Sequence, residues 1–135
     1  MAKSVRTFVF NFQRQFADAV TAGRKLQTVR ATRADNKVPR PGETVKLYTG
    51  LRTRLARLLN QGTVTECLPV RMDLGEPPSL TVGAEVLRGR DLRLFAESDG
   101  FESAAAMFEW FRGTHGFEFE GFCVKWQPKS RGESR

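Results

Sequence analysis

The sequence predicts an α+β fold in which five or six short strands close into a small β-barrel, flanked by two or three helices. Three observations predict it. Runs of β-branched and aromatic residues recur near 5–10, 26–31, 44–49, 63–72, 80–87 and 119–126. Helical periodicity is confined to three stretches, near 12–22, 91–96 and 104–112. The two kinds of element do not alternate as βαβ units, which argues against a parallel α/β sheet. Closing short strands on themselves removes the open edges they would otherwise present.

In the first run, Val5 to Phe10, Phe8 and Phe10 share the face that points inward. Phe12, Phe16 and Val20 recur every four residues and form one apolar stripe on the helix that follows. Gly23 supplies its stop, because glycine tolerates the left-handed conformation that ends helices. Leu26, Thr28 and Arg30 point one way from the second strand, Gln27 and Val29 the other. Residues 31–40 lack periodicity and read as a loop, and Pro41-Gly42-Glu43 as a turn. The strand Thr44–Thr49 alternates, with Val45 and Leu47 on one face and Lys46 and Tyr48 on the other.

Leu51 to Leu59 fits either a short helix, with Arg52, Arg54 and Arg57 outside, or a long loop. Pro69 inside the run 63–72 implies an edge position or a bulge. Gly75 to Ser79, with two prolines, forms another loop. The short helix 91–96 ends at Asp99-Gly100, and Ser103 can cap the helix 104–112, whose Met107, Trp110 and Phe111 face the core. The chain closes with a strand at 119–126.

Forty per cent hydrophobic residues, eleven of them Phe, are enough for one core in 135 residues. We therefore expect a single domain over 1–127 and a flexible polar tail over 128–135. No apolar run is long enough to span a membrane, and the N-terminus has no signal-peptide core, so a cytoplasmic protein is expected. Cys67 and Cys123 lack partners at metal-ligand spacing and read as small core residues; His115 reads as a surface residue. No metal site and no glycine loop for a nucleotide is recognisable, so no cofactor is expected.

The net charge of +7 is concentrated. Arg24, Lys25, Arg30, Arg33, Lys37, Arg40, Lys46, Arg52, Arg54 and Arg57 lie within one quarter of the chain, opposed only by Asp35 and Glu43. Such concentration favours a polyanion partner, most simply nucleic acid. Arg24, Arg30, Arg33, Arg40, Lys46, Arg52, Arg54 and Arg57 are the candidate phosphate contacts. Tyr48, on the strand face of Lys46, is a candidate to stack a base or equally to pack inward.

Gly23 to Arg30 gathers the candidate chemistry. A threonine hydroxyl attacks an amide only with an adjacent base. A lysine can serve as that base when burial or neighbouring cations lower its pKa. Residues three apart on a regular strand face opposite sides, so Lys25 and Thr28 meet only if Lys25 still belongs to the turn after Gly23. The structural alternative has Arg24 and Lys25 complementing the helix C-terminus, Thr28 pairing across the sheet and Arg30 exposed.

Several pieces, in this order, resemble the ASCH family of the PUA-like barrel superfamily. They are Ala22-Gly23-Arg24-Lys25-x-x-Thr28-x-Arg30 after a helix, and Pro41-Gly42-Glu43 before Val45-x-Leu47-Tyr48. Asp99-Gly100-Phe101-x-Ser103 before an aromatic helix and the ending Phe122-Cys123-Val124-Lys125-Trp126 complete them. The resemblance implies a PUA-like barrel that binds RNA or a modified nucleoside in a cleft, here with Lys25, Thr28, Arg30 and Asp99. It also implies two enzymatic alternatives, an amidohydrolase that deacetylates N-acetylcytidine and a ribonuclease-like RNA-processing activity. The first would take Lys25 and Thr28 as catalytic, with Asp99 where those enzymes carry Glu. The shorter Asp would hold its carboxylate about 1.5 Å further back. This chain also carries Leu51 to Gln61, an arginine-rich stretch that the short amidohydrolases lack. A non-enzymatic alternative is an interaction protein that docks its basic face on an acidic protein or a nucleoprotein complex.

Overall fold

The computed structural model describes residues 5–129. Among them the chain is α+β, with seven strands and three helices. Their order is β1 (Thr7–Phe12), α1 (Arg14–Ala22), β2 (Gln27–Ala31), β3 (Thr44–Thr49), β4 (Arg57–Asp73), β5 (Ser79–Val82), β6 (Glu85–Leu87), α2 (Gly89–Ser98), α3 (Ala104–His115) and β7 (Glu118–Pro128). Hydrogen bonding follows the order β1-β3-β4-β5-β6, with β7 paired to β2 and β4. β1 and β6 end that order, so barrel closure is not part of the observed pairing. The chain divides into two compact units, each made of separate segments.

The first unit holds residues 5–26, Pro39–Cys67 and 125–129 of those described. Here β1 runs parallel to β3, from Thr7 opposite Thr44 to Phe12 opposite Thr49. β3 runs antiparallel to the first part of β4. Alternation decides what each strand buries: Phe8, Phe10 and Phe12 of β1, with Val45 and Leu47 of β3. Ala17 and Val20 of α1 are buried as well. Gly23 ends α1 in the left-handed conformation, at φ 78°. The next two amides, of Arg24 and Lys25, both donate to the carbonyl of Ala19. Asn60 of β4 donates to the last-turn carbonyls of Val20 (3.5 Å) and Thr21 (3.4 Å).

The second unit holds Gln27–Val38 and Leu68–Val124. Antiparallel pairing takes Val70–Asp73 of β4 to β5, and β5 to β6. Its core joins Met72, Leu74 and Leu80 to Phe95 of α2, to Met107, Phe108 and Phe111 of α3, and to Phe119 and Cys123 of β7. Ser103 caps α3, its hydroxyl accepting from the Ala106 amide at 3.0 Å, as the sequence predicts. At Gly121 a side chain would collide with the Arg30 carbonyl, so only glycine lets this backbone approach.

Several boundaries differ from the sequence reading, each for a local reason. Seven strands form, because the run 80–87 bends at Gly83 (φ 63°) into the β5–β6 hairpin. The strand expected at 63–72 begins at Arg57 and reaches Asp73, since it takes two partners along its length, β3 and then β5. Leu51–Leu59 is not a helix. Residues 50–55 form a turn knotted by Thr53, whose hydroxyl donates to the Gly50 carbonyl (2.6 Å) and accepts from the Leu55 amide (3.0 Å). The first run is displaced to Thr7–Phe12 by its register with β3, and α1 correspondingly begins at Arg14. The helices placed at 91–96 and 104–112 extend to Gly89–Ser98 and Ala104–His115. Of the expected tail, Pro128 belongs to β7 and the Lys129 amide donates to Gln61, while 130–135 lie outside the described residues. The expectation of no signal core falls partly on 1–4, also outside them. Among the described residues no helix is long and apolar enough to cross a membrane.

Candidate functional site

The first unit carries most of the candidate nucleic-acid contacts, and two of them, Lys46 and Tyr48, share one sheet face. Direct strand partners point to the same side of a sheet. Val9 pairs with Lys46 and Asn11 with Tyr48. On the other edge of β3, Lys46 pairs with Gln61 and Tyr48 with Leu58. A bulge between Leu47 and Tyr48 keeps Tyr48 opposite Leu58. This face is opposite to buried Phe8, Phe10, Val45 and Leu47. Lys46 and Tyr48 are half-buried on it, whereas Val9 and Leu58 are 51% and 46% exposed.

The β3–β4 turn extends this face. Arg52, Arg54 and Arg57 are exposed, and Leu55 is 79% exposed at the tip. The turn is built rather than slack. The Leu51 amide donates to the Asn11 side chain at 2.9 Å, and Arg52 takes a left-handed φ of 71° that most residues avoid. A side chain at Gly50 would meet the Leu55 carbonyl at 2.8 Å. Among the described residues this unit has 11 basic and three acidic residues, net +8. The second unit has eight basic and 11 acidic residues, net −3.

Lys25 also belongs to the first unit, in the turn after Gly23, as the catalytic reading requires. It is 3% exposed. Its ammonium stands 5.1 Å from the ring centroid of Phe16 and 5.8 Å from that of Phe12. Aromatic faces attract a cation through their quadrupole, most strongly when water is excluded. Phe12, which ends β1 and so is not part of the expected helical stripe, and Phe16 of α1 are thus walls around the Lys25 ammonium.

Thr28, Arg30 and Asp99 belong to the second unit, with Gln27. Gln27, Thr28 and Asp99 are all buried, Asp99 to 4% exposure. The Gln27 amide donates to Asp99 at 3.3 Å, and Arg30 Nε donates to the Thr28 hydroxyl at 3.2 Å. Burial lowers the Arg30 guanidinium to a pKa of about 10, a fall that the Asp99 carboxylate partly offsets. Arg30 thus remains a cation at neutral pH, but one shielded from water. The arrangement offers a hydroxyl, a guanidinium, an amide and a carboxylate together, enough to bind a polar planar group or an oxyanion. Asp99 holds its place as the C-terminal cap of α2, its amide donating to Phe95.

The remaining candidates sit apart from these clusters. Arg33 pairs with Asp35 at 3.0 Å on an exposed loop. Arg24 is exposed beyond α1, and Arg40 is exposed with its amide bonded to Glu43. Burial raises the Cys67 thiol to a pKa of about 11, so it stays protonated and unreactive at neutral pH. His115 is exposed but stacks on Phe111 (5.7 Å), which explains its lowered pKa.

Sequence reasoning missed Gln27 and Asn60 as buried polar anchors. Gln27 was legible only as the residue facing away from Thr28, although both are buried. It also missed Val9 and Leu58, whose signal was their place opposite Lys46 and Tyr48 in a register no local pattern specifies. Comparison with protein-family models, with curated proteins and with solved structures returns no match.

Proposed function

We propose that this protein binds RNA or a modified nucleoside. The observation that carries the reading is the segregation of charge, +8 in the first unit against −3 in the second. Half-buried Lys46 and Tyr48 and exposed Arg52, Arg54 and Arg57 all belong to that first unit. A local field of this sign draws in polyanions and releases their counterions on binding. The motifs from Ala22 to Arg30 and around Asp99 support an ASCH-type protein, read as one PUA-like barrel domain over 1–127 and placed in the cytoplasm.

RNA binding measured against salt tests the reading. Log K should fall by about 0.7 per phosphate contact, and Arg52→Ala, Arg54→Ala and Arg57→Ala together should reduce that slope by about 2. Absence of binding at low salt would overturn it.

The buried set Gln27, Thr28, Arg30 and Asp99 favours a second reading, hydrolysis of the acetyl amide of N-acetylcytidine. Thr28 would attack the acyl carbon and expel cytidine, whose amine leaves with the hydroxyl proton, and water would then release acetate from the acylated threonine. The resemblance gives Lys25 the role of base. Lys25 and Thr28 lie in different units, so each is tested singly. Acetate release should disappear in Lys25→Ala and in Thr28→Ala, and turnover that survives both excludes these roles.

A further inference from the structure

We infer that the outer face of β1, β3 and β4 in the first unit is a platform for single-stranded nucleic acid, with one unpaired base stacked on Tyr48. The inference rests on the nucleic-acid reading above and specifies the strand class and the residues that select it. Tyr48 is flanked in direct register by Asn11 and by Leu58, and its neighbour two positions back, Lys46, is flanked by Val9 and Gln61. The face thus sets one aromatic ring and two aliphatic side chains beside Asn11, Gln61 and Lys46. Val9 and Leu58 leave about half their surface in water without a covering element among the described residues. Its cations are Lys46, on the central strand of the three, and Arg52 and Arg54 on the adjoining turn, with Arg57 exposed at the start of β4.

A duplex buries its bases and presents phosphates and ribose, which need cations and hydrogen-bonding groups but no apolar centre. An aromatic ring and aliphatic surface set beside cations are the complement of a single strand, whose bases are free to stack while its phosphates meet the cations. Arg52 and Arg54 are separated by one residue on a turn fixed by Asn11, Thr53 and Gly50, and Arg57 follows as the first residue of β4. Their spacing is therefore set before the strand arrives, which lowers the cost of ordering them. An acidic polypeptide is the competing occupant. It would use the arginines and Leu55, but it has no need of an aromatic ring beside Lys46.

The test uses the full chain, a labelled oligouridylate of about twelve nucleotides and an RNA duplex of the same length. The expected result is single-strand binding at least about tenfold tighter than duplex binding at equal salt. Tyr48→Ala should weaken the single strand by about tenfold, leave the duplex unchanged and leave the salt slope unaltered; Tyr48→Phe should restore binding, which separates stacking from folding. Equal affinity for strand and duplex, with Tyr48→Ala neutral, overturns the platform and leaves the nucleic-acid reading standing. No binding of either probe at low salt overturns both. Polyglutamate that displaces the labelled strand as well as unlabelled RNA does also overturns the platform, in favour of an acidic protein.

Discussion

The two units handle polar groups in opposite ways. The first carries its excess charge mainly on exposed arginines, among them Arg52 and Arg54 on a built turn, and it buries Lys25 against two phenylalanine rings. The second has a small negative balance and buries a set of polar side chains that bond to one another, Gln27 to Asp99 and Arg30 to Thr28. Its apolar core of methionine, leucine and phenylalanine is correspondingly large. The difference is physical. Exposed charge contributes little to stability but directs encounter with a charged partner. Buried polar groups act on stability strongly, because each must keep its partner or lose its hydration without compensation.

If that contrast is right, the largest stability effect comes from the second unit's apolar core. Leu80→Ala, at a fully buried position, should destabilise by about 2 to 5 kcal/mol. Residue-resolved hydrogen exchange should show the loss across β5 and α3. A uniform loss across β1 and β3 as well would mean that the units unfold as one and would erase the energetic contrast.

Next comes the buried polar set. Asp99→Ala leaves the Gln27 amide buried without this acceptor, which should cost about 1 to 3 kcal/mol. Loss of the carboxylate should also let burial lower the Arg30 pKa further, since Asp99 now opposes that fall. Denaturant unfolding that is unchanged in Asp99→Ala would show that the cluster is not a determinant of stability. The matching change in the first unit, Asn60→Ala, removes two long bonds to the end of α1 and one to the Gln61 amide. It should cost less, about 1 kcal/mol by thermal melting.

The smallest effect is a pH dependence at His115. Desolvation holds its folded pKa below the unfolded value near 6.5, so the unfolded chain takes up the proton first as pH falls. Its contribution is fully present above that value and is lost as pH drops through the folded pKa. His115→Phe should flatten the slope of stability between about pH 7 and 5, and an unchanged slope would assign it to other groups.

Legibility followed the range of the interactions. The inward pair Phe8 and Phe10, the Gly23 stop and the Ser103 cap are local patterns, and each is found where the residues indicate. The leucines of 51–59 misled, because spacing that suits a helix here serves a turn. Leu55 and Leu58 are exposed and Leu59 alone is buried. For β2 the alternation gave no sign of burial, since Gln27, Thr28 and Val29 are all buried. Periodicity describes a strand with one wet face and has no means of marking one covered on both.

By itself the sequence determined the element types, the existence of a basic excess and the polar residues around Gly23 and Asp99. Those depend on residue chemistry and on spacings of two to four positions. Only the tertiary structure decided that the excess belongs to one unit and that Val9 and Leu58 flank Lys46 and Tyr48. It alone decided that Gln27 holds Asp99 across 72 positions of chain. Strand register and long-range hydrogen bonds join residues that no local pattern relates, so they exist only once the chain has folded.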